Sequence, residues 1–296
     1  MGYQLTTLDE VHIRSKQITQ FYSTNRKHMT TQKIELTLEQ KQQFIDDGYL
    51  IFRNFVPDDI VASTRTALLK ATGMKIDDPE TWDRDNNIPY MYSHLTMDCI
   101  NTAFWQVAEE LAGPDIHRSL VRGSPLETEG EDPGIPGFIP VLIFPTPGEP
   151  KFEPGPRYHI DGLHMATLWP DVQYLTGFMY LTDVADYGGA TALCPGGHRK
   201  MFEYWHARSE GEGNLRPEYT PDVNCGVPVP FVGNAGDIVF MHYLLPHEAT
   251  PNHSSTIRMA LNGVVLPSET RPYQRKAGPP TDDWTPLDWT LRTDNL

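Results

Sequence analysis

The chain has 296 residues and a formal net charge of -15 at pH 7, which allows one large domain with enough apolar material for a sizeable core. The negative charge, without any run of Lys and Arg, argues against a nucleic-acid partner, because such binding requires basic side chains that neutralise phosphates. No apolar run reaches membrane-spanning length and the three widely spaced cysteines indicate no disulfide framework, so we expect a cytoplasmic protein with no membrane span.

The N-terminal part of the chain divides into a polar extension and the start of a folded domain. Residues 1–33 are polar and mixed in charge, so we interpret them as an extension and assign 34–296 to a single domain. Thr37 can cap a helix with Gln40 at the reciprocal position, and Gly48 can end that helix. The sequence therefore predicts that the domain begins with a capped helix.

Further elements are predicted before the middle of the chain. A strand at 49–52 is followed by helices at 57–72 and 100–111. Another strand, at 139–144, interrupts a stretch rich in Pro and Gly that spans 127–156. This stretch could cover a site beside the segment that follows it, or it could be an ordinary surface connection. The residues leave both interpretations open.

The second half of the chain contains short β-prone segments separated by turn signals such as Pro195-Gly196-Gly197. The segments are 173–184, 190–194, 227–232, 237–242 and 256–266. Such a pattern predicts a barrel or a sandwich. Together with the metal-binding residues described next, it predicts a mainly β protein with a double-stranded β-helix core, the cupin-like jelly roll.

One segment offers an imidazole and a carboxylate two residues apart, at His159 and Asp161. Along a strand, residues i and i+2 project to the same face, so both side chains can converge on one ion. We expect His247 to complete the set from a strand that faces this one across a barrel, although His242 lies in the same later segment. His-x-Asp with a distant His is the composition of the 2-His-1-carboxylate facial triad, which binds Fe(II) and leaves the other face open to small ligands.

Arg258 lies eleven residues beyond His247. Its guanidinium is a permanently charged planar fork that suits a carboxylate held in two parallel hydrogen bonds, as 2-oxoglutarate requires. A structural salt bridge is the simpler alternative. The position of the arginine after the distal histidine favours binding of 2-oxoglutarate.

These residues belong to a longer set of motifs. The set comprises His159-x-Asp161-Gly162, Phe178–Asp183, Gly189–Arg199, Gly236–Phe240, His247-x4-Asn252 and Arg258. In order and spacing, from about residue 38 to residue 266, it resembles the phytanoyl-CoA dioxygenase (PhyH-like) family of Fe(II)/2-oxoglutarate-dependent oxygenases. In that family, N-terminal helices support the jelly roll, in agreement with the helices predicted here.

The resemblance implies an enzyme that uses Fe(II), 2-oxoglutarate as co-substrate and O2. It would hydroxylate or otherwise oxidise a C–H bond of a small-molecule metabolite or natural product, with release of succinate and CO2. The family spacing from distal histidine to arginine selects His247 over His242. The resemblance implies that His159, Asp161 and His247 are the iron ligands and that Arg258 binds the distal carboxylate of 2-oxoglutarate.

The resemblance also bears on the residues around the iron. Related halogenases lack a carboxylate at the position of Asp161, so its presence favours oxidation over halogenation. A small hydroxyl residue commonly assists the arginine, and Thr176 or Thr191 is a candidate for this role.

Candidate substrate contacts lie near the metal segment. They are Arg157, Tyr158, His164 and Trp169, a set of aromatic and cationic side chains consistent with an amphipathic small molecule that carries an anionic group. Each of these aromatic residues could equally be part of the core. Neither the natural substrate nor the oligomeric state follows from the sequence.

Two other classes of protein fit the same residues. One is a cupin-type metal enzyme that uses these ligands without 2-oxoglutarate. The other is a non-catalytic jelly-roll binding module. The intact triad argues against the second class, because a protein that does not use iron has no physical reason to bring these groups together.

Overall fold

The first helix forms where its capping residues predict it. The computed structural model describes residues 34–84, 90–114, 116–117, 138–156, 158–161, 173–208, 226–267 and 285–287. Helix α1 spans Leu38–Asp47: the Thr37 hydroxyl accepts from the Gln40 N–H at 3.1 Å, and the Gln40 side chain accepts from the Thr37 N–H at 2.9 Å. Gly48 ends the helix with φ 79°, a left-handed conformation that favours glycine. The predicted extension, 1–33, lies outside the described residues.

Two longer helices follow the first strand, β1, which spans Tyr49–Phe52. Helix α2 spans Asp58–Thr72 and buries Val61 and Leu68, and helix α3 spans Thr102–Ala112 and buries its apolar face. Two 3-10 helices, Pro79–Thr81 and Tyr90–Cys99, lie between them in the chain. These helices come before most of the strands in the chain, in agreement with the predicted N-terminal helices.

The remaining strands form two antiparallel sheets. The larger sheet contains β1, β2 (Ile116–His117), β3 (Ile139–Ile143), β4 (Leu175–Tyr180), β7 (Ile238–His242) and β9 (Arg258–Pro267). Its order is β1-β7-β4-β9-β2, and β3 also pairs with β9. The smaller sheet, in the order β6-β5-β8, contains β5 (Thr191–Leu193), β6 (Val229–Phe231) and β8 (His247–Ala249). Helix α4 spans Gly197–Arg208.

Side chains from both sheets meet in one hydrophobic core. Phe178 and Tyr180 of β4 lie in the same buried cluster as Phe231 of β6, and the rings of Tyr180 and Phe231 stack with centroids 4.5 Å apart. On the opposite face of β4, a Cβ at Gly177 would lie 2.6 Å from Cε2 of Phe104, so glycine lets α3 approach the sheet closely. Strand β4 is therefore buried on both faces, which accounts for its continuous apolar character.

This arrangement is the double-stranded β-helix that the sequence predicts. The predicted strands and helices are present, with ends that differ by a few residues. Helix α4 is not among the predicted elements, because the Pro195-Gly196-Gly197 signal indicates a turn. In the structure a helix begins at Gly197 and buries Met201 and Phe202. Within the described part of the chain, no helix combines the length and the apolar character needed to cross a bilayer.

Candidate active site

His159 and His247 lie directly opposite each other on neighbouring antiparallel segments. The N–H of His159 donates to the carbonyl of His247 at 3.0 Å, and the N–H of His247 donates back at 2.9 Å. Two such bonds define a hydrogen-bonded pair, whose side chains share one face. The prediction that His247 faces the His159 segment across the barrel is therefore wrong, because the segment instead pairs with β8 at the edge of the smaller sheet.

Asp161 completes a compact set of atoms that could hold a metal ion. One ligand atom each from His159, Asp161 and His247 lies within 4.8 Å of the other two. His247 Nε2 is 3.7 Å from Asp161 Oδ1. Spacings of this size fit atoms that surround a single ion, with each bond to the metal about 2 Å long.

The hydrogen bond on the other ring nitrogen prepares His247 to act as a ligand. His247 Nδ1 lies 2.9 Å from the carbonyl oxygen of Leu245, which can only accept, so Nδ1 carries the proton. Nε2 then presents its lone pair on the side of Asp161. A backbone carbonyl that fixes the tautomer in this way is a common support for metal-binding histidines.

His242 lies on the other face of the larger sheet. Its neighbour Met241 belongs to the core between the sheets, and side chains alternate along a strand. The His242 ring instead packs against His198, with centroids 5.1 Å apart, and its Nδ1 accepts from the Leu244 N–H at 3.0 Å. Burial and, to a smaller extent, His198 hold the pKa of His242 well below its usual value. His242 is thus separated from the metal-binding set.

Asp161 is also held by side chains of the larger sheet. The Thr176 hydroxyl donates to Asp161 Oδ2, and Gln173 Nε2 donates to Thr176 Oγ1 at 2.7 Å. Both Gln173 and Thr176 are buried. The Thr176 hydroxyl is thus occupied by Asp161, and its predicted assistance to Arg258 stays a prediction. The sequence analysis missed Gln173, since a single amide before a strand gives no signal.

Arg258 is a buried cation at the start of β9. The side chain is 2 % exposed, and its Nε and Nη1 make no hydrogen bond to the described residues. The guanidinium carbon lies 5.3 Å from the centre of the Phe178 ring. Burial lowers the pKa of Arg258 to about 10, and nearby Tyr180 opposes this shift, so the group stays charged at neutral pH. A buried charge with unsatisfied donors is costly, and an anionic ligand would relieve that cost.

Thr191 lies beside the same tyrosine. Its backbone N–H donates to the Tyr180 hydroxyl at 3.2 Å, while its own hydroxyl oxygen is buried without a hydrogen-bond partner among the described residues. The hydroxyl can therefore accept or donate one further hydrogen bond. This arrangement supports the predicted role of Thr191 near a ligand of Arg258.

Asn252 fixes the connection between the distal histidine and the arginine. Its side-chain amide is completely buried and donates to the carbonyls of Ile143 at 3.0 Å and Thr256 at 2.8 Å. The amide therefore ties the turn between β8 and β9 to the end of β3. Of the predicted substrate contacts, Tyr158 is half-buried beside His159, whereas Arg157, His164 and Trp169 lie outside the described residues.

Comparison with solved structures supports the fold. The carbocyclase SnoK from nogalamycin biosynthesis, described as non-haem and α-ketoglutarate dependent, is 19% identical, covers 81% of this chain and 87% of its own, and superposes with a TM-score of 0.52. EvdO2 from Micromonospora carbonacea var. aurantiaca is 19% identical, with coverages of 87% and 98% and a TM-score of 0.50. The epimerase SnoN from nogalamycin biosynthesis is 17% identical, with coverages of 77% and 81% and a TM-score of 0.50.

Comparison of sequences finds one family to which part of the chain is similar. The family model for phytanoyl-CoA dioxygenase (PhyH) matches residues 145–260, a range that contains Arg258 and the three candidate metal ligands. No curated protein matches the chain. Fold, site and family match together define a non-haem Fe(II)/2-oxoglutarate-dependent dioxygenase. Within that class the similarity is to phytanoyl-CoA dioxygenases (PhyH), over residues 145–260.

Proposed function

We propose that His159, Asp161 and His247 hold Fe(II) and that Arg258 binds the distal carboxylate of 2-oxoglutarate. The enzyme then oxidises a C–H bond of a small molecule, most simply by hydroxylation, and releases succinate and CO2. The observation that carries the proposal is the convergence of three ligand atoms within 4.8 Å of one another in a fold that also buries an unpaired guanidinium. Two imidazoles and one carboxylate are the donor set that Fe(II) oxygenases use.

The protein contributes positioning and charge. Iron and 2-oxoglutarate, when bound, supply the oxidative decarboxylation that activates O2 for attack on the substrate. The Leu245 carbonyl accepts from His247 Nδ1–H and so leaves Nε2 as the ring nitrogen available to the metal. The paired backbones of His159 and His247 fix the separation of the two rings. Buried Arg258 can offer an anion its Nε and Nη1 groups, which make no hydrogen bond to the described residues. With Asp161 in place, oxidation is favoured over halogenation.

The inner face of β3 and β9 is the surface on which we place the substrate. Ile139, Val141 and Ile143 pair with alternate residues of β9 and end opposite Arg258, so their side chains share its face of the sheet. All three are only half-buried, although the residues between them are buried. An apolar surface of this kind suits the hydrocarbon part of a metabolite or natural product. Tyr158, which is half-buried and precedes His159 in the chain, is a further candidate contact.

Two neighbours with this fold support the substrate class. SnoK and SnoN both come from nogalamycin biosynthesis. We accordingly propose a small-molecule metabolite or natural product as substrate. We also propose a cytoplasmic location, in keeping with the buried cysteines Cys99 and Cys194, which are not disulfide-bonded.

Calorimetric titration with 2-oxoglutarate tests the proposal. Protein loaded with Co(II), which is stable in air, should bind one equivalent, and Arg258→Ala should bind it much more weakly while retaining the metal. Metal binding without any 2-oxoglutarate binding would favour the cupin-type enzyme instead. Failure to bind a divalent metal at all would favour the non-catalytic module.

A further inference from the structure

A buried relay of hydrogen bonds ends on the carboxylate of Asp161. Gln173 is 4 % exposed and Thr176 is 1 % exposed, and the two side chains are joined at 2.7 Å. The Thr176 hydroxyl makes the contact with Asp161 Oδ2. The relay therefore runs from the start of β4 to the proposed metal site without passing through solvent.

The direction of the relay follows from its chemistry. Gln173 Nε2 also approaches the carbonyl oxygen of Leu175 at 3.4 Å, which can only accept a hydrogen bond. The amide nitrogen therefore faces both Leu175 and Thr176 and donates to each. Because Thr176 Oγ1 accepts from Gln173, its own proton is directed to the remaining partner, Asp161. An ionised carboxylate is a strong acceptor for such a hydroxyl.

The relay distinguishes the two oxygens of Asp161. Oδ2 is engaged by Thr176, whereas Oδ1 is the oxygen that lies 3.7 Å from His247 Nε2. A carboxylate can bind a metal through one oxygen or through both. An octahedral ion that holds two imidazoles and a bidentate 2-oxoglutarate keeps one position open only if the carboxylate uses a single oxygen.

We propose that Gln173 and Thr176 are positioning residues that restrict Asp161 to binding the metal through Oδ1 alone. The inference rests on the proposed function, because it assumes the metal site at His159, Asp161 and His247. It assigns Thr176 to the carboxylate ligand and leaves Thr191 as the hydroxyl residue near Arg258. Removal of the hydroxyl frees Oδ2 to turn toward the metal and lets the carboxylate reorient.

The test is Co(II) binding, measured by titration and by the visible absorption of the bound ion. Thr176→Val keeps the shape of the side chain and removes the donor. Because Oδ2 is then free to bind the metal, the visible spectrum of bound Co(II) should change and the affinity should differ from that of the wild type by about 10-fold. Thr176→Ser retains the hydroxyl and should restore both properties. Gln173→Met should shift the spectrum in the same direction as Thr176→Val, because the hydroxyl then loses its directing partner.

Thr64→Val is the matched control, since Thr64 is also a buried threonine but its hydroxyl contacts Cys99. It should leave Co(II) affinity and spectrum unchanged. If both proteins bind Co(II) and Thr176→Val has the affinity and the spectrum of the wild type, the inference is wrong, whereas the proposed function is unaffected. Failure of the wild type to bind Co(II) would overturn the proposed function and the inference with it. If Thr176→Val does not fold, Thr176→Ser and Gln173→Met are compared with the wild type. A wild-type Co(II) spectrum in Gln173→Met would then overturn the inference.

Discussion

His159 and His247 donate backbone hydrogen bonds to each other, at 3.0 and 2.9 Å, and their rings lie with centroids 4.4 Å apart. The two residues are far apart in sequence, yet the sheet places them as a directly opposed pair. The separation of the two imidazoles is thus set by backbone pairing rather than by flexible loops. Rigid elements of this kind hold ligands more accurately than loops do.

Removal of a ligand should abolish turnover without unfolding the protein. Asp161→Ala and His159→Ala each take away one of the three proposed protein donors, and neither residue is part of the hydrophobic core. We expect loss of activity well beyond 100-fold, since even residues that only orient ligands are worth roughly 10–100-fold. Far-UV circular dichroism provides the folding control. Hydroxylation by Asp161→Ala at the wild-type rate would show that the metal site is assigned wrongly.

Arg258→Ala should mainly raise the concentration of 2-oxoglutarate that is needed. The buried Nε and Nη1 groups have no partner among the described residues, so the side chain is available to the co-substrate. Arg258→Lys should recover only part of the affinity, because an ammonium group cannot form two parallel hydrogen bonds with a carboxylate. Steady-state kinetics with varied 2-oxoglutarate measure the effect. An unchanged KM for 2-oxoglutarate in Arg258→Ala would indicate a structural salt bridge instead.

Asn252→Ala should destabilise the fold and shift the position of Arg258. The substitution removes the buried donor of the Ile143 and Thr256 carbonyls, at a cost of about 1–3 kcal/mol in total, because the Thr256 carbonyl keeps a second donor in the Ser254 hydroxyl. Urea denaturation should show the loss, and the KM for 2-oxoglutarate should rise because the turn leads into Arg258. Asn252→Asp provides only acceptors at this position, so it should be no better than alanine. Wild-type stability of both variants would contradict this account of the turn.

Acid should destabilise the protein through the buried pair His198 and His242. Burial, and then Arg199, lower the pKa of His198 to about 3, and burial and His198 lower that of His242 as well. Between the ordinary histidine pKa of about 6.5 and these lower values, the unfolded state binds more protons than the folded state. Stability is therefore complete above about pH 6.5 and falls as the pH decreases, by about 1.4 kcal/mol per pH unit for each histidine.

Urea denaturation at pH 7 and at pH 5 measures this slope. His198→Gln cannot be protonated, so its stability should fall less than that of the wild type between the two values. Equal losses in the wild type and in His198→Gln would assign the acid sensitivity to carboxylates elsewhere in the chain.

Local signals in the sequence predicted much of the molecule. The capping box at Thr37 and Gln40 predicted α1, because a capping box depends on geometry within one segment. The candidate site was predicted from a known set of donors in a known order, namely His159, Asp161, His247 and Arg258. The direct pairing of His159 with His247 was not predictable, since strand neighbours far apart in sequence leave no local pattern. The hydrogen bonds from Gln173 through Thr176 to Asp161 were not predictable either, because contacts between separate segments leave no local pattern. Helix α4 was missed because the glycines before it indicated a turn and masked the apolar residues that follow.

Anaerobic titration of the Fe(II)-loaded protein with 2-oxoglutarate tests the central claim most directly. The account predicts the weak visible charge-transfer band of the bidentate chelate in the wild type and in His242→Ala, whose histidine lies on the other face of the sheet. The same band should be absent in His247→Ala. Its absence from wild-type protein that holds iron would contradict the use of 2-oxoglutarate. Its persistence in His247→Ala together with its loss in folded His242→Ala would contradict the proposed ligand set.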